Sequence, residues 1–314
     1  MKRIVYSCLL LAFFLPVFAC EREFTVNVQA DPKLFLQCFP GPRDTTIIQL
    51  NRTIPTGTDW DGPMFLESAE VVCKVNGLAR AVERWDAAPS GSGPEGCWFV
   101  TGQLFPGDVI SVDARADDLP AIHAETTLPA FPPEFQYLLT AKSVQVSFAD
   151  DPDSEDWYGL GVLCERTTVQ GSVTHIELHL LRPAGPAGSG TPFLQGNNDP
   201  GIYLQFNGWT LGSPWWILRV WSDDWAEDGI VNLSMQLTDV FMIWNDAPYT
   251  SRYKVCLYRF PRAFYRYAVS VDNVENNVFA QYGLAPAAFS YTNVSGGVGV
   301  LAGWTVRETD WIVL

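Results

Sequence analysis

Three polar side chains alternate in the segment His175-Ile-Glu177-Leu-His179, and their types could bind a divalent transition metal. Alternate side chains of a β-strand share one face, so both imidazoles and the carboxylate would point the same way. Residues 175 and 179 would lie about 13 Å apart along a strand, too far for one ion unless a bulge intervened. A solvated polar face is therefore favoured over a metal site formed by His175, Glu177 and His179.

Two acidic runs offer the hard oxygen ligands that calcium takes in proteins. They are Asp150-Asp-Pro-Asp-Ser-Glu-Asp156 and Asp223-Asp-Trp-Ala-Glu-Asp-Gly229. The first run lacks the central glycine and the distal glutamate of a helix-loop-helix calcium loop, and Asp-Gly in the second is a turn signal. Both runs are interpreted as solvated acidic turns, with calcium as the alternative, and no cofactor is predicted.

The sequence contains little that indicates an enzyme. It contains neither a Gly-x-Ser-x-Gly elbow nor a phosphate-cradling glycine loop, and Ser295-Gly-Gly297 does not follow a strand-then-helix pattern. The chain is predicted not to be an enzyme. A hydrolase with a pair of carboxylates, or with a metal at His175 and His179, is the remaining catalytic alternative.

Tryptophan is abundant, with twelve in the chain and five of them within residues 209–225. Aromatic faces bind sugar rings and anchor protein interfaces. Trp215, Trp221 and Trp225 are predicted to form an exposed contact patch, and Trp60 is a further aromatic residue in a loop. Filling of the hydrophobic core is the alternative role for these side chains.

The N-terminus has the features of a lipoprotein signal. A positive start and an apolar stretch lead into Val17-Phe-Ala-Cys20, which resembles a lipobox. We expect residues 1–19 to be removed and the Cys20 thiol to carry the lipid, with ordinary signal cleavage as the alternative. The apolar run is too short for a stable membrane span, so residues 20–29 would tether the mature chain to lipid.

Net charge and cysteine content limit the possible partners and disulfides. The net charge of −15 becomes −17 once Lys2 and Arg3 are removed with the signal. This negative charge excludes nucleic acid as a partner, because phosphate binding needs clustered cations. Five cysteines remain besides the anchor, so at least one stays a thiol or pairs between chains. Cys73 and Cys97 are the predicted disulfide, because both are placed on inward faces of strands; buried thiols are the alternative.

The elements that must position these residues are strands, since apolar residues recur with a period of two. Residues 30–128 show this alternation in short runs separated by turns, as in Leu34, Leu36 and Cys38, and are predicted to form an immunoglobulin-like β-sandwich. Residues 129–314 are predicted to form a second β-rich domain. It carries one amphipathic helix from Pro261 to Asn276. The fold class is therefore mainly β.

Several motifs occur together in one order along the chain. They are the lipobox, the acidic turn before Trp157-Tyr158, the helical Phe264-Tyr-Arg-Tyr267, and the run Asn293-Val-Ser-Gly-Gly-Val-Gly299. In this order they resemble the domain-of-unknown-function 4249 family of Bacteroidota lipoproteins. The chain departs from that pattern in a long insert, rich in proline and glycine, after Leu181.

The resemblance implies a surface-exposed outer-membrane lipoprotein. Members of this family resemble accessory or ligand-binding partners of TonB-dependent β-barrel transporters. The resemblance assigns no catalytic residue to this chain. Glu21 and Glu23 resemble the short acidic signal for the outer leaflet, so the chain is expected on the cell exterior. An adhesive or structural surface lipoprotein is the alternative function.

Overall fold

The computed structural model describes residues 31–54, 61–62, 66, 68–84, 97–116, 118–151, 153–169, 171, 173–183, 202–207, 215–223, 229–238, 249–276 and 290–314. The chain divides into two compact units, Met1–Pro32 with Ile54–Gly62 and Lys33–Thr53 with Pro63–Leu314. Every strand and helix below belongs to the second unit. None of the described helical residues forms a segment long and apolar enough to cross a membrane.

The described residues form eighteen strands and one α-helix, α1 (Arg262–Asn276). In chain order the strands are β1 (Leu34–Cys38), β2 (Thr45–Arg52), β3 (Glu70–Val75), β4 (Leu78–Arg80), β5 (Val82–Arg84), β6 (Cys97–Thr101), β7 (Val109–Arg115), β8 (Ile122–Thr127), β9 (Phe135–Leu139), β10 (Ser143–Ala149), β11 (Trp157–Thr168), β12 (Val173–Pro183), β13 (Ile202–Asn207), β14 (Trp215–Ser222), β15 (Ile230–Thr238), β16 (Tyr249–Phe260), β17 (Val298–Leu301) and β18 (Thr305–Glu308). The predicted mainly β fold is confirmed.

Two sheets enclose the N-terminal core. One has the order β17-β1-β2-β6-β5 and the other the order β4-β3-β7-β8. The alternation is clear in β1, where Leu34, Leu36 and Cys38 are fully buried and the residues between them are half-buried. Burying one face of each strand in this way removes apolar surface from water, which is the main favourable contribution to folding.

Strand β17 joins this sandwich from the far end of the sequence. It pairs in parallel with β1, from Phe35 opposite Val298 to Cys38 opposite Leu301. The first sheet therefore includes a strand from outside residues 30–128, the segment for which the sandwich is predicted. Whether the sandwich is of the immunoglobulin type remains a prediction.

Strand β11 is the central element of the second β region. One of its edges pairs with β16 along its whole length, while the other pairs first with β14 and then with β12. Its two faces bury different clusters: Tyr158, Leu160 and Val162 pack against β10 and β15, and Trp157 packs with helix α1. A strand buried on both faces is expected to be almost continuously apolar, and residues 157–164 of β11 fit that expectation, whereas the strand ends in Glu165-Arg-Thr-Thr168.

The predicted helix is confirmed as α1. Pro261 precedes the helix, and its carbonyl oxygen accepts the first backbone hydrogen bond from Phe264 N at 3.0 Å. Phe264 and Ala268 are fully buried, as the helical spacing predicts. The Phe264 ring stacks on that of Phe260, with 4.0 Å between centroids, and touches Phe39 at the end of β1. Helix α1 thus packs on both β regions.

The segment from Asn293 to Leu301 passes close to the backbone of β1. Gly299 has a φ of +114°, and a Cβ there would overlap the carbonyl oxygen of Leu36. The Asn293 side chain makes two hydrogen bonds with the backbone of Leu301. Nδ2 of Asn293 donates to the Leu301 carbonyl at 2.8 Å, and Oδ1 of Asn293 accepts from the Leu301 N–H at 3.0 Å. Glycine is therefore required at position 299, because φ is positive there and because no space is left for a Cβ.

We expect Gly299→Ala to destabilise the protein far more than Gly77→Ala. Both glycines have positive φ, but nothing lies within 4 Å of a Cβ at Gly77. Gly77→Ala should cost about 1 kcal/mol from conformational strain alone, whereas Gly299→Ala adds overlap with backbone and should exceed about 3 kcal/mol. Urea unfolding of the two variants measures the difference. Equal losses would contradict the close packing at Gly299.

Candidate functional site

An open groove of about 430 Å³ lies on the outer face of the four-stranded sheet. Strand β3 supplies Glu70, β7 supplies Asp113 and Arg115, β8 supplies His123, and Ser295 closes one side. These side chains alternate with the buried residues of the same strands, so the sandwich core fixes their spacing. The groove is the candidate functional site because it gathers charged and polar groups over a rigid sheet.

A hydrogen-bonded pair lies inside the groove. His123 Nδ1 is 2.7 Å from Asp113 Oδ1, and since a carboxylate only accepts, Nδ1 carries the proton. This hydrogen bond, with a smaller contribution from Lys74 at 3.5 Å, lowers the pKa of Asp113. Asp113 therefore stays ionised at neutral pH and orients the imidazole, whose side chain is half-exposed.

Ser295 is held beside this pair by its backbone. Its N–H donates to the His123 carbonyl at 2.8 Å, and its own carbonyl accepts from His123 N–H at 3.0 Å. Asp113, His123 and Ser295 are the residue types of a serine hydrolase, but activation of the hydroxyl needs a hydrogen bond to the imidazole. Among the described contacts, none joins Ser295 Oγ to that ring.

The groove contains both hydrogen-bond donors and hydrogen-bond acceptors for a small polar ligand. Arg115 and Ser295 can donate, while Glu70, paired with Arg115 at 3.6 Å, and Asp113 can accept. Sequence reasoning did not find this site. Asp113 and His123 are ten residues apart, and their contact depends on the pairing register of β7 with β8, which no local pattern encodes.

The two acidic runs come together at one end of β11. Asp156 N–H donates to Asp223 Oδ2 at 2.5 Å, and Asp223 N–H donates to the Asp156 carbonyl at 3.0 Å. Arg259 of β16 pairs with Asp156, its Nε lying 2.8 Å from Oδ1, and Ser154 Oγ donates to the other carboxylate oxygen at 2.7 Å. The carboxylates are thus bonded to donors of the protein itself.

Tyr158 connects this network to the start of the first run. Its hydroxyl donates to Asp150 Oδ1 at 2.5 Å. Burial raises the pKa of Asp150 in spite of that hydrogen bond, and burial and the neighbouring carboxylates raise the pKa of Tyr158. Within the described part of the chain, no group of three or more metal-binding side chains is arranged to hold an ion. The network's observed role is to tie β11, β14 and β16 together.

A family model described as a domain of unknown function (DUF4249) matches residues 21–310. The chain belongs to this family. The resemblance drawn from the helix and from the run Asn293–Gly299 is thereby confirmed, and the DUF4249 match includes every described strand and α1. No significant match was found among curated proteins.

The predicted metal candidates lie on β12 of the DUF4249 domain. His175 pairs with Glu165 of β11, and His179 pairs with Thr238 of β15. A register shift falls between Leu180 and Arg182, beyond the three candidates, so it does not supply the bulge that a single ion would need. The side chains of His175, Glu177 and His179 lie outside the described residues.

The predicted tryptophan patch is corrected at Trp221, which is fully buried. It lies opposite Tyr158 across the β11–β14 pair, and the two rings are 6.2 Å apart within one core cluster. Core packing, the alternative role, therefore applies to this residue. The backbone of Trp215 begins β14, but its side chain lies outside the described residues, as do Trp225, Trp60 and the lipidation candidate Cys20.

The disulfide predicted between Cys73 and Cys97 is not formed, and both residues are buried thiols. Cys73 faces the sandwich core, but Cys97 lies opposite Gln49, on the other face of its sheet. Its neighbours Trp98 and Val100 occupy the inward positions of β6. Because side chains alternate between faces, Cys97 cannot reach Cys73. Burial raises the pKa of Cys73 to about 11 and that of Cys97 to about 12, so both stay protonated.

We expect Asp150→Asn to stabilise the protein at pH 7. The folded-state pKa of Asp150 is raised, so between the unfolded and folded pKa values the native state binds more protons, and stability falls as pH rises through this range. The amide of Asn does not ionise, so this loss of stability disappears, while the amide oxygen still accepts the hydrogen bond from the Tyr158 hydroxyl. The gain should be a few tenths of a kcal/mol, because the carboxyl is only half-buried and solvent screens it.

Urea unfolding at pH 7 and at about pH 4, where the wild-type carboxyl approaches its neutral form, tests this expectation. The advantage of Asp150→Asn should shrink at the lower pH. Asp153→Asn, an exposed position in the same turn, is the matched control and should show no such trend. A destabilised Asp150→Asn at pH 7 would show that the ionised carboxylate is needed.

Proposed function

We propose that this DUF4249 chain is an outer-membrane lipoprotein that faces the cell exterior. It acts as a non-enzymatic accessory or ligand-binding partner of a TonB-dependent β-barrel transporter. The observation that carries the proposal is the start of the family match at residue 21, directly after the predicted lipid-bearing Cys20. A boundary at that point is expected if Cys20 is the first residue of the mature family domain.

The tether supports contact with a membrane partner. An extended chain from residue 20 to residue 33 reaches at most about 45 Å, comparable with the thickness of a bilayer with its headgroups. Such a tether lets the β-rich unit stay in water while it remains close to a barrel in the same membrane. Two bound acyl groups would suffice for stable anchoring.

The groove supports the binding part of the proposal. Among its lining residues Glu70 and Asp113 are acidic and Arg115 is basic, and Lys74, which does not line the groove, pairs with Asp113 at 3.5 Å. A balanced set of donors and acceptors suits a small polar cargo better than a strongly charged one. Burial raises the pKa of Cys38, Cys73 and Cys97, and protonated thiols fit a protein that binds rather than reacts.

We expect Cys20→Ala to abolish lipid attachment. In cells fed labelled palmitate, the wild type should take up label, whereas the variant should stay unlabelled and keep its signal, because cleavage by a lipoprotein peptidase follows lipidation. Cys8→Ala, the other cysteine of the precursor's N-terminus, is the matched control and should be labelled normally. Labelled Cys20→Ala would refute anchoring at this residue.

Co-purification tests the transporter role. The wild-type chain, tagged at its C-terminus, is extracted from outer membranes in mild detergent, and bound proteins are identified by mass spectrometry. A TonB-dependent barrel in near-stoichiometric amount is the expected result. Recovery of the lipoprotein alone, with a known barrel complex intact in the same detergent, would favour the adhesive or structural alternative instead.

A further inference from the structure

Among the described strands, β9 is an open edge of the nine-stranded sheet. It is last in the order β13-β14-β11-β12-β15-β10-β9 and pairs on one side with β10. Leu138 is 57% exposed. Tyr137 shares a strand face with the half-buried Phe135 and the buried Leu139, yet it is 44% exposed. Exposure of an inward-facing ring indicates that no described residue covers this edge.

The hairpin between β9 and β10 fixes which backbone groups face outward. Thr140 N–H donates to the Ser143 carbonyl at 2.8 Å, so the backbone groups of Thr140 point toward β10. Since these directions alternate along a strand, the N–H and C=O groups of Phe135, Tyr137 and Leu139 point away from the sheet. Among the described residues, no backbone hydrogen bond satisfies these outward groups on the open side.

Within the described residues, strand β9 itself also lacks features that protect an edge against pairing. Natural edge strands are protected by lysine or other charges, by proline, by a bulge, by being very short, or by a covering helix or loop. Strand β9 reads Phe-Gln-Tyr-Leu-Leu and pairs in regular register with β10. Charges stand only at its ends, with Glu134 just before the strand and Lys142 in the hairpin loop after it. The Glu134 carboxylate is almost fully exposed although it contacts Arg307.

We propose that two copies of this chain pair through β9 as antiparallel edge strands about a two-fold axis at Tyr137. Phe135 then lies opposite Leu139 of the second copy, and Tyr137 lies opposite its own equivalent. All three outward-facing residues are satisfied by about six backbone hydrogen bonds. The tyrosines form a cross-strand aromatic pair, a contact that stabilises antiparallel sheets.

Charge complementarity identifies a second copy as the occupant. Antiparallel pairing places the Glu134 end of one strand beside the hairpin loop of the other, which carries Lys142. The two-fold axis repeats this contact, so both ends of the paired strands bring opposite charges together. The negative net charge of the chain opposes association in general, so the local complementarity at this edge matters for where two copies meet.

The mass of the purified full-length lipoprotein in detergent, measured by light scattering, tests the proposal. The wild type should have the protein mass of two chains. Tyr137→Glu sets two carboxylates opposite each other and should weaken dimerisation at least about tenfold. Val169→Glu, at a 73% exposed site elsewhere, is the matched control and should leave dimerisation unchanged. A monomeric wild type at about 100 μM, or an undiminished Tyr137→Glu dimer, would overturn the proposal.

A charge exchange tests the orientation independently of Tyr137. Glu134→Lys and Lys142→Glu should each weaken self-association, because each variant alone brings like charges together at both ends. An equal mixture of the two variants should recover dimers, since every end contact then joins a lysine to a glutamate. No recovery on mixing would exclude the antiparallel β9 pair. Circular dichroism of each variant confirms that the sheet remains folded.

Discussion

The sandwich depends on the close approach of a late segment of the chain to its first strand. Gly299 has no side chain, so the backbone of β17 can lie directly against Leu36 of β1. Gly296 lies in the same way against the Ala121 carbonyl, just before β8 of the other sheet. One short run therefore touches both sheets of the sandwich, and no side chain larger than hydrogen fits at either point.

This contact joins the sandwich to the second β region. After β17 the chain continues to Trp304, which is buried and whose Nε1–H donates to the Phe39 carbonyl at 3.0 Å. Phe39 follows β1 and touches Phe264 of the helix. Burying each such aromatic ring contributes about 1.5–3 kcal/mol, so this cluster is a substantial part of a typical total stability. A chain shortened before residue 293 would lose both a sheet edge and this cluster.

Local periodicity predicted the class of structure well, and its failures have one physical cause. Alternation located β1 and helical spacing located α1, because both depend on neighbouring residues. Cys97 was predicted on the inward face of its strand and Trp221 at the surface. Both predictions were wrong because a shift of one residue exchanges the two faces of a strand. The groove was missed because Asp113 and His123 meet only through strand register. These errors concern strand register and the face that each residue occupies, which the alternation of apolar residues alone does not fix.

The two proposed binding surfaces belong to different sheets, and this separation bears on how the chain could work. The groove lies on β3, β7 and β8, whereas the open edge is β9. None of the groove residues would take part in the β9 pair, so a dimer would keep two grooves available. Two grooves in one assembly raise the effective concentration of binding sites for a partner with repeated contacts. A membrane tether on each copy would fit such an arrangement, because it confines both copies to one plane.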